Sequence, residues 1–288
     1  MNYIDATTRL ITLLGSPVSH SKSPKLQNFL FELLGENYCY LAVDTKKEDL
    51  EDIILSLKNL NARGMNITFP LKTEILKYLD EIDSQTKLSG AVNTVVIGDD
   101  GKLIGYNTDG IGFITSLEYL NLDIRNKKIL VVGAGGAGRA ISIMLAKNFA
   151  SEIVIVEKEK NRDKSQGLLD IISNKMQSKT KVRIIESNDI NIKNELSDAY
   201  MLINATSLGL KDKNQCIVSS KEVLSKTSAF IYDLVYSDKK TKLIEYAGQN
   251  NLQNTNGVPM LLCQGIESCK LWTGKSASVE KIINSLKL

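Results

Sequence analysis

The glycine-rich run GAGGAG at residues 133–138 constrains the fold of this chain more than any other feature of its sequence. It follows a short apolar stretch and precedes residues 137–147, whose apolar spacing predicts a helix. In such a strand–turn–helix unit, Gly133 permits the tight turn, Gly135 lets a pyrophosphate approach the backbone, and Gly138 allows close packing of the helix. The N-terminus of the helix would offer free N–H groups to the phosphates. The run therefore predicts a Rossmann-type site for a dinucleotide.

An acidic residue at the end of the next predicted strand supports this interpretation. Glu157 lies near the position, roughly 20 residues after the glycine-rich turn, where a carboxylate accepts hydrogen bonds from the ribose of NAD. Its charge would repel the 2′-phosphate of NADP. Lys158, Lys160 and Arg162 follow in the same loop, however, and could pair with that phosphate. These residues alone leave the choice between NAD and NADP open.

Strand-like and helix-like segments alternate along most of the chain. Strands are predicted, for example, at residues 9–14, 38–43 and 65–69, with helical spacing between them. Two further strands flank a Gly-Asp-Asp-Gly turn at residues 98–101 and predict a hairpin. Regular alternation of this kind predicts parallel sheets covered by helices on both faces. Since the chain has 288 residues, and domains average roughly 150, we expect an α/β protein of two domains.

The composition excludes several classes of site and partner. His20 is the only histidine, so neither a three-histidine zinc site nor a HExxH helix can form, and none of the four cysteines belongs to a CxxC pair. We therefore predict no metal. The net charge of +3 is too balanced to favour nucleic acid or a membrane surface as a partner. No segment has the pattern of a signal peptide or a membrane span, so we expect a cytoplasmic protein.

Four polar patches lie at predicted strand ends or helix starts in the first half of the chain. They are residues 19–24, 66–72, 90–94 and 107–110. Ligands of open α/β sheets bind outside the carboxyl ends of the strands, and hydroxyl and amide groups suit a small polyhydroxylated substrate. Each patch alone also fits a structural role. Ser23-Pro24, for instance, is typical of a helix N-cap followed by proline.

Taken together and in order, these motifs resemble the shikimate dehydrogenase family over nearly the full length of the chain. The matching segments are residues 19–24, 66–72, 90–94, 107–110, 133–138, 204–207, 233–236 and 257–264. Members of that family reduce 3-dehydroshikimate to shikimate with NADPH, in the biosynthesis of chorismate and the aromatic amino acids. The resemblance implies a substrate-binding catalytic domain at residues 1–110 and a Rossmann domain at 111–256. Helices at residues 257–288 would pack back on the first domain.

The resemblance also implies roles for individual residues of the substrate site. Ser21 and Ser23 would hold the substrate carboxylate, and Tyr236 would close the pocket. Lys72 and Asp109 would form the catalytic pair. Hydride delivery to a ketone leaves an alkoxide that must receive a proton, so we expect Lys72 to transfer it and Asp109 to position the lysine. The ring substituents would be hydrogen-bonded by Thr68, Asn93, Asp109 and Gln264.

The cofactor side follows the family pattern less closely. At the end of the second Rossmann strand many NADP-using relatives carry Asn-Arg-Thr or Asn-Arg-Arg, whereas this chain has Glu157-Lys158-Glu159, and lysine lacks the planar fork that grips phosphate. Residues 161–180 and 271–275 look more like the quinate/shikimate branch, whose members can use NAD. We expect NADP, with NAD as the alternative. The expected contacts are Gly133, Ala134, Gly135, Gly136 and Ala137 for the pyrophosphate, Glu157 and Lys158 for the ribose, and Ala205, Thr206, Leu234 and Gly257 for the nicotinamide.

Two alternative functions stay open at this point. One is a quinate/shikimate dehydrogenase that uses NAD. The other is a regulatory protein that binds a dinucleotide without catalysis. Lys72 and Asp109 argue against the second, because a protein that only binds has no need of a proton donor there. In each case we expect a small-molecule ligand and a monomer or homodimer.

Overall fold

The computed structural model describes residues 4–236 and 239–286. The chain forms two compact units, and it passes from the first to the second between Thr115 and Ser116 and returns between Met260 and Leu261. The C-terminal part of the chain, from Leu261 onward, therefore belongs to the first unit. In the described parts of the chain, no helix is long and apolar enough to cross a membrane.

The N-terminal part of the first unit alternates strands and helices around one sheet. Its elements are β1 (Arg9–Gly15), α1 (Ser23–Leu34), β2 (Tyr38–Asp44), α2 (Leu50–Asn59), β3 (Gly64–Ile67), β4 (Glu81–Ile82), α3 (Ser84–Ser89), β5 (Thr94–Ile97), β6 (Leu103–Tyr106) and α4 (Asp109–Tyr119), with a 3₁₀ turn at Glu74–Tyr78. The strand order is β2-β1-β3-β5-β6-β4.

This first sheet is mixed, so the expectation of parallel sheets is wrong for this unit. β1 runs parallel to β2 and β3, but β5 is antiparallel to both β3 and β6. The predicted hairpin between β5 and β6 is the physical reason, because Gly101, at a φ of 78°, reverses the chain there. The reversal brings the amino end of β5 to the edge where β1, β3 and β6 end.

The second unit contains a wholly parallel sheet. Its elements are β7 (Lys128–Val132), α5 (Gly136–Lys147), β8 (Glu152–Glu157), α6 (Arg162–Asp170), β9 (Lys181–Glu186), α7 (Asp189–Leu196), β10 (Met201–Asn204), β11 (Phe230–Asp233), α8 (Lys242–Gln249) and β12 (Asn254–Thr255), with short turns at Glu159–Asn161, Ile171–Lys175 and Lys221–Leu224. The strand order is β12-β11-β10-β7-β8-β9. The chain winds outward in one direction from β7 and in the other from β10. The glycine-rich turn after β7 therefore lies at the topological switch point, where ligands bind in such sheets.

Two C-terminal helices, α9 (Val258–Thr273) and α10 (Val279–Ser285), complete the molecule. Trp272, the only tryptophan, is 1% exposed in the first unit and donates from its indole nitrogen to the Val95 carbonyl oxygen at 3.0 Å. Gly64 makes room for this ring, since an added Cβ would lie 2.4 Å from Trp272 Nε1 and 2.3 Å from Val95 O. Arg63 donates to the Trp272 carbonyl at 2.9 Å. These contacts hold the end of α9 against the first sheet.

We expect Gly64→Ala to lower the free energy of unfolding by about 1–3 kcal/mol, because the added methyl group overpacks the indole and the strand. Thermal denaturation followed by circular dichroism measures the change. Gly167→Ala is the control, because in α6 no atom of the described residues lies within 4 Å of an added Cβ. That variant should be as stable as the parent or slightly more so. Equal midpoints for the two variants would contradict the packing role of Gly64.

Candidate active site

Polar side chains of the first unit gather at the edge where β1, β3 and β6 end. Thr68 and Lys72 follow β3, and Asp109 follows β6 at the first position of α4. Asn93 immediately precedes the antiparallel strand β5, so it reaches the same edge from the opposite chain direction. The sheet topology thus brings together residues that are far apart in sequence, as the rule for ligand sites in α/β sheets predicts.

Lys72 and Asp109 form an ion pair at this edge. Lys72 Nζ lies 2.6 Å from Asp109 Oδ2, and the two side chains are 22% and 8% exposed. The backbone around both residues is fixed by hydrogen bonds. Val92 N donates to the Lys72 carbonyl at 2.8 Å, and Asn107 Oδ1 accepts from Asp109 N at 3.1 Å. The lysine side chain, which is partly exposed, is therefore held at a buried carboxylate.

Asn93 holds the second oxygen of this carboxylate. Its Oδ1 accepts a hydrogen bond from the backbone N–H of Thr108 at 2.8 Å, and its Nδ2 donates to Asp109 Oδ1 at 2.8 Å. A backbone N–H can only donate, so the orientation of the amide is determined. Asp109 consequently accepts from Asn93 on one oxygen and from Lys72 on the other.

Gln264 reaches this cluster from α9. Its Oε1 lies 3.4 Å from Thr108 Oγ1 and 3.5 Å from Asn93 Nδ2, and its Nε2 donates to the Leu261 carbonyl at 2.9 Å. Gly112 on α4 allows the approach, because an added Cβ would lie 2.5 Å from Gln264 N. Amide and hydroxyl groups thus surround the Lys72–Asp109 pair, as a polyhydroxylated ligand requires.

The serines lie in the loop that follows β1. Gly15, at the end of β1, is next to Thr68, since an added Cβ would be 2.4 Å from Thr68 Cγ2. Ser21 Oγ accepts from Ser23 N at 3.2 Å, and as an acceptor there it can still donate its hydrogen to a carboxylate. α1 begins at Ser23, and its N-cap residue is Lys22, without a side-chain cap. The structural alternative of an N-cap at Ser23 is therefore wrong.

The glycine-rich turn of the second unit has the shape that a pyrophosphate requires. Gly133 has a φ of 93°, and a Cβ added to Gly138 would lie 2.0 Å from the Gly133 carbonyl oxygen. At Gly135 an added Cβ would meet no atom of the described residues within 4 Å, so the backbone there is open to a ligand. α5 begins at Gly136 and has no side-chain cap, and the first N–H groups of a helix have no partner within the helix. These residues fit a dinucleotide.

Glu157 is hydrogen-bonded directly to this turn. One carboxylate oxygen accepts from Ala134 N at 3.0 Å, and the other accepts from Asn161 Nδ2 at 3.1 Å and from Lys158 N at 2.8 Å. A cavity of about 280 Å³ adjoins these residues. Gly133, Glu157, Lys158 and Thr206 line it, as does Ser187, which the sequence analysis did not select. Ser187 directly follows β9, so the strand-end rule would have found it.

The loops after β10 and β11 are connected by buried polar side chains. Asn204 Nδ2 donates to Asp233 Oδ1 at 2.8 Å, and the Thr241 hydroxyl donates to the other oxygen. Burial raises the pKa of the Asp233 carboxyl group, while these donors oppose the shift. Asn204 Oδ1 accepts from the backbone and the hydroxyl of Thr206 at 3.1 and 2.7 Å. The loop that carries Ala205 and Thr206 is therefore rigidly placed.

Three glycines of the second unit lie close to residues that are expected at the nicotinamide. A Cβ added to Gly257 would lie 2.0 Å from the Leu234 carbonyl oxygen, and one added to Gly133 would lie 2.8 Å from Thr206 Cγ2. At Gly138 an added Cβ would lie 3.3 Å from the Ala205 methyl group. These expected cofactor residues all belong to the second unit.

Tyr236 and His20 are the remaining residues that the sequence analysis considered. Tyr236 is half-buried after β11 in the second unit, whereas the other expected substrate residues belong to the first. His20 is exposed. Within residues 4–236 and 239–286, no three histidine, cysteine, aspartate or glutamate side chains are grouped so that they could hold a metal ion.

Comparison with known proteins gives one consistent result. Residues 13–95 match the shikimate dehydrogenase substrate binding domain, and residues 257–287 match the shikimate 5′-dehydrogenase C-terminal domain. The chain is 38% identical to the shikimate dehydrogenase (NADP(+)) of Lactococcus lactis subsp. cremoris, over 97% of this chain and 96% of that one.

Solved structures agree with these sequence matches. The shikimate 5-dehydrogenase from Listeria monocytogenes in complex with shikimate and NAD has a TM-score of 0.87 at 33% identity, covering 99% of this chain and 98% of the other. A shikimate dehydrogenase in complex with NADP+ has a TM-score of 0.85 at 37% identity, with coverage of 99% and 98%. The α/β fold of two units, the site and the extent of these similarities together establish that this chain belongs to the shikimate dehydrogenase family.

Proposed function

We propose that this protein is an NADP-dependent shikimate dehydrogenase, which reversibly reduces 3-dehydroshikimate to shikimate in the biosynthesis of the aromatic amino acids. The first unit would bind the substrate and the second the dinucleotide. The observation that carries the proposal is the Lys72–Asp109 ion pair of 2.6 Å, held by Asn93 in a site lined with hydroxyl and amide groups. The names of the relatives, which are NADP-dependent shikimate dehydrogenases, support the same substrate and cofactor.

The residues of the first unit would handle the proton of the reaction. Bound NADPH supplies the hydride to the ketone carbon. The carbonyl oxygen becomes an alkoxide, and Lys72 Nζ donates a proton to it as the charge develops. Asp109, whose two oxygens accept hydrogen bonds from Lys72 and Asn93, would position the lysine rather than supply the proton. It holds the ammonium group in place, and in the reverse direction Lys72 accepts the proton of the shikimate hydroxyl.

Other residues would orient the substrate. Ser21 and Ser23 would donate hydroxyl hydrogens to its carboxylate. Hydroxyl groups grip a carboxylate less strongly than a bidentate arginine does, which suits a product that must leave. The ring substituents would be bound by Thr68, Asn93, Asp109 and Gln264.

The second unit would hold the dinucleotide. The open backbone at Gly135 and the start of α5 would bind the pyrophosphate, and the loops fixed by Asn204 and Asp233 would contact the nicotinamide through Ala205, Thr206, Leu234 and Gly257. Glu157 and Lys158 would flank the adenosine ribose. A carboxylate and an ammonium group at this place act in opposite directions on a 2′-phosphate, so we propose that NADP is the main cofactor and that NAD also binds.

The alternatives are less well supported. A non-catalytic dinucleotide-binding protein has no use for the Lys72–Asp109 pair. A quinate/shikimate dehydrogenase with NAD is distinguished by kcat/KM for the four combinations of quinate or shikimate with NAD or NADP. We further propose that the protein acts in the cytoplasm on small molecules, as a monomer or homodimer, and binds neither nucleic acid nor membranes. The balanced charge of +3 supports the last point.

Lys72→Ala should lower kcat for shikimate oxidation at least about a hundredfold, because the general base is lost. The Kd of NADP+ should stay the same, since Lys72 belongs to the first unit. Absorbance at the NADPH band measures turnover, and calorimetry measures the Kd. Lys77→Ala, which removes an exposed lysine paired with Glu74, is the matched control and should keep full activity. Full activity in Lys72→Ala would refute the assignment.

Ser21→Ala combined with Ser23→Ala should raise the KM for shikimate by about tenfold or more, because two donors to the carboxylate are lost. The KM for NADP+ should not change. Steady-state kinetics with each substrate varied in turn separates the two effects. Ser56→Ala is the control, as that hydroxyl is exposed and bonds only to its own helix at Asp52. An unchanged KM for shikimate in the double variant would rule out the carboxylate site.

Glu157→Gln should lower the Kd of NADP+ by about fivefold relative to that of NAD+, because a charge that repels the 2′-phosphate is removed. The ratio is the measure, because the glutamine also loses at least one of the bonds from Ala134 N, Lys158 N and Asn161 Nδ2, and this loss affects both dinucleotides. Calorimetric titration of the protein with each dinucleotide measures the ratio. Glu159→Gln removes a neighbouring exposed carboxylate and controls for net charge. If both variants change the ratio equally, Glu157 has no specific role.

A further inference from the structure

Ser268 lies beneath the proposed substrate site, one helical turn after Gln264 on α9. Its side chain is completely buried. Its hydroxyl donates to the Gln264 carbonyl oxygen at 3.0 Å, and its Oγ lies 2.8 Å from Thr94 Oγ1 and 3.1 Å from Thr108 Oγ1. Asn66 Nδ2 donates to the same oxygen at 3.2 Å. One hydroxyl therefore contacts residues of β3, β5, α9 and the loop after β6.

The direction of these hydrogen bonds is determined by the partners that can only donate or only accept. The Gln264 carbonyl can only accept, and the Asn66 amide nitrogen can only donate. Asn66 is in turn oriented by the Asn93 carbonyl oxygen, which can only accept and lies 3.0 Å from Asn66 Nδ2. Ser268 therefore gives its hydrogen to α9 and accepts from β3. Its remaining acceptor capacity faces the hydroxyl groups of Thr94 and Thr108.

Both threonines contact Ser268 on one side and residues of the proposed substrate site on the other. Thr108 Oγ1 accepts from Asn93 Nδ2 at 2.9 Å and lies 3.4 Å from Gln264 Oε1. Thr94 Oγ1 lies 3.0 Å from Asn93 Oδ1, and its single hydrogen can go either to that oxygen or to Ser268 Oγ. Asn93 and Gln264 are the two amides that the proposed function assigns to the substrate ring. Ser268 touches neither of their side-chain amides directly, but it contacts both hydroxyl groups that do.

We propose that Ser268 is a positioning residue, which holds the hydroxyl groups of Thr94 and Thr108 against Asn93 and Gln264 and so keeps these two amides in place for the hydroxyl groups of the substrate. This inference rests on the proposed function and assigns part of its substrate affinity to a residue beneath the site. Without the Ser268 hydroxyl, Thr94 and Thr108 lose a shared partner and can rotate away from Asn93 and Gln264. The Lys72–Asp109 ion pair and the bond from Thr108 N to Asn93 do not involve Ser268 and should persist.

Ser268→Ala should therefore raise the KM for shikimate by about tenfold while kcat stays within about twofold of the parent. The KM for NADP+ should be unchanged. Calorimetric titration of the dinucleotide-free protein with shikimate should show a similar rise in Kd, which is a measurement independent of turnover. A purely structural role of Ser268 would lower the melting temperature without this selective effect on shikimate.

Two further variants separate hydrogen bonding from packing. Ser268→Cys keeps nearly the same volume but is a weak hydrogen-bonding group, so its KM for shikimate should follow that of Ser268→Ala. Ser142→Ala is the matched control, because Ser142 is also completely buried and its hydroxyl has no hydrogen-bond partner in the described part of the chain. Its KM for shikimate should equal that of the parent.

The outcomes distinguish this inference from the proposed function. If the parent protein turns over shikimate but Ser268→Ala has an unchanged KM, the inference is overturned and the function stands. The inference also fails if Ser268→Cys restores the parental KM, because packing would then explain the effect. If the parent protein neither binds nor oxidises shikimate, the proposed function fails and the inference with it.

Discussion

The hydrogen bond from the Thr108 backbone N–H to the Asn93 side-chain oxygen, 2.8 Å long, determines the arrangement of the candidate active site. Because that donor cannot become an acceptor, the Asn93 amide has one orientation, and its nitrogen must face Asp109. Asp109 then has one oxygen available for Lys72. The chemistry of the lysine thus depends on a main-chain group that only a substitution by proline would remove. The buried layer of Asn66, Thr94 and Ser268 beneath it is fully hydrogen-bonded, as a polar network in a core must be.

This arrangement is possible because strand β5 runs in the direction opposite to its neighbours. In a wholly parallel sheet, the residue before a strand lies at the edge opposite to the ligand site. Because β5 is antiparallel to its neighbours, Asn93 lies at the ligand edge and can contact the residue that begins α4. The second unit needs no such reversal, because its ligand would bind to backbone N–H groups at the switch point of a parallel sheet. The first unit would therefore bind its ligand through side chains, and the second through backbone N–H groups.

Much of the fold follows from the sequence, since the glycine-rich turn, the hairpin and the longer strands have strong local signals. β4 and β12, each of two residues, are too short to give any period. Residues 163–176 fit one helical period, but α6 ends at Asp170 and a π-helical turn follows. The sequence does not reveal this change, because both conformations share a similar spacing of apolar residues. Thr108 and Ser268 are 160 positions apart, so only the folded chain reveals their contact.

The order of the two units along the chain has a consequence for synthesis. The second unit is continuous in sequence, whereas the first is divided and includes α9 from Leu261 onward. A ribosome therefore delivers every strand of the second unit before Trp272, which closes the core of the first sheet, leaves the exit tunnel. Since domains fold as units during translation, the Rossmann unit is the first that can be completed on the nascent chain. The first unit, although its first strands precede the second unit in the chain, reaches its final packing last.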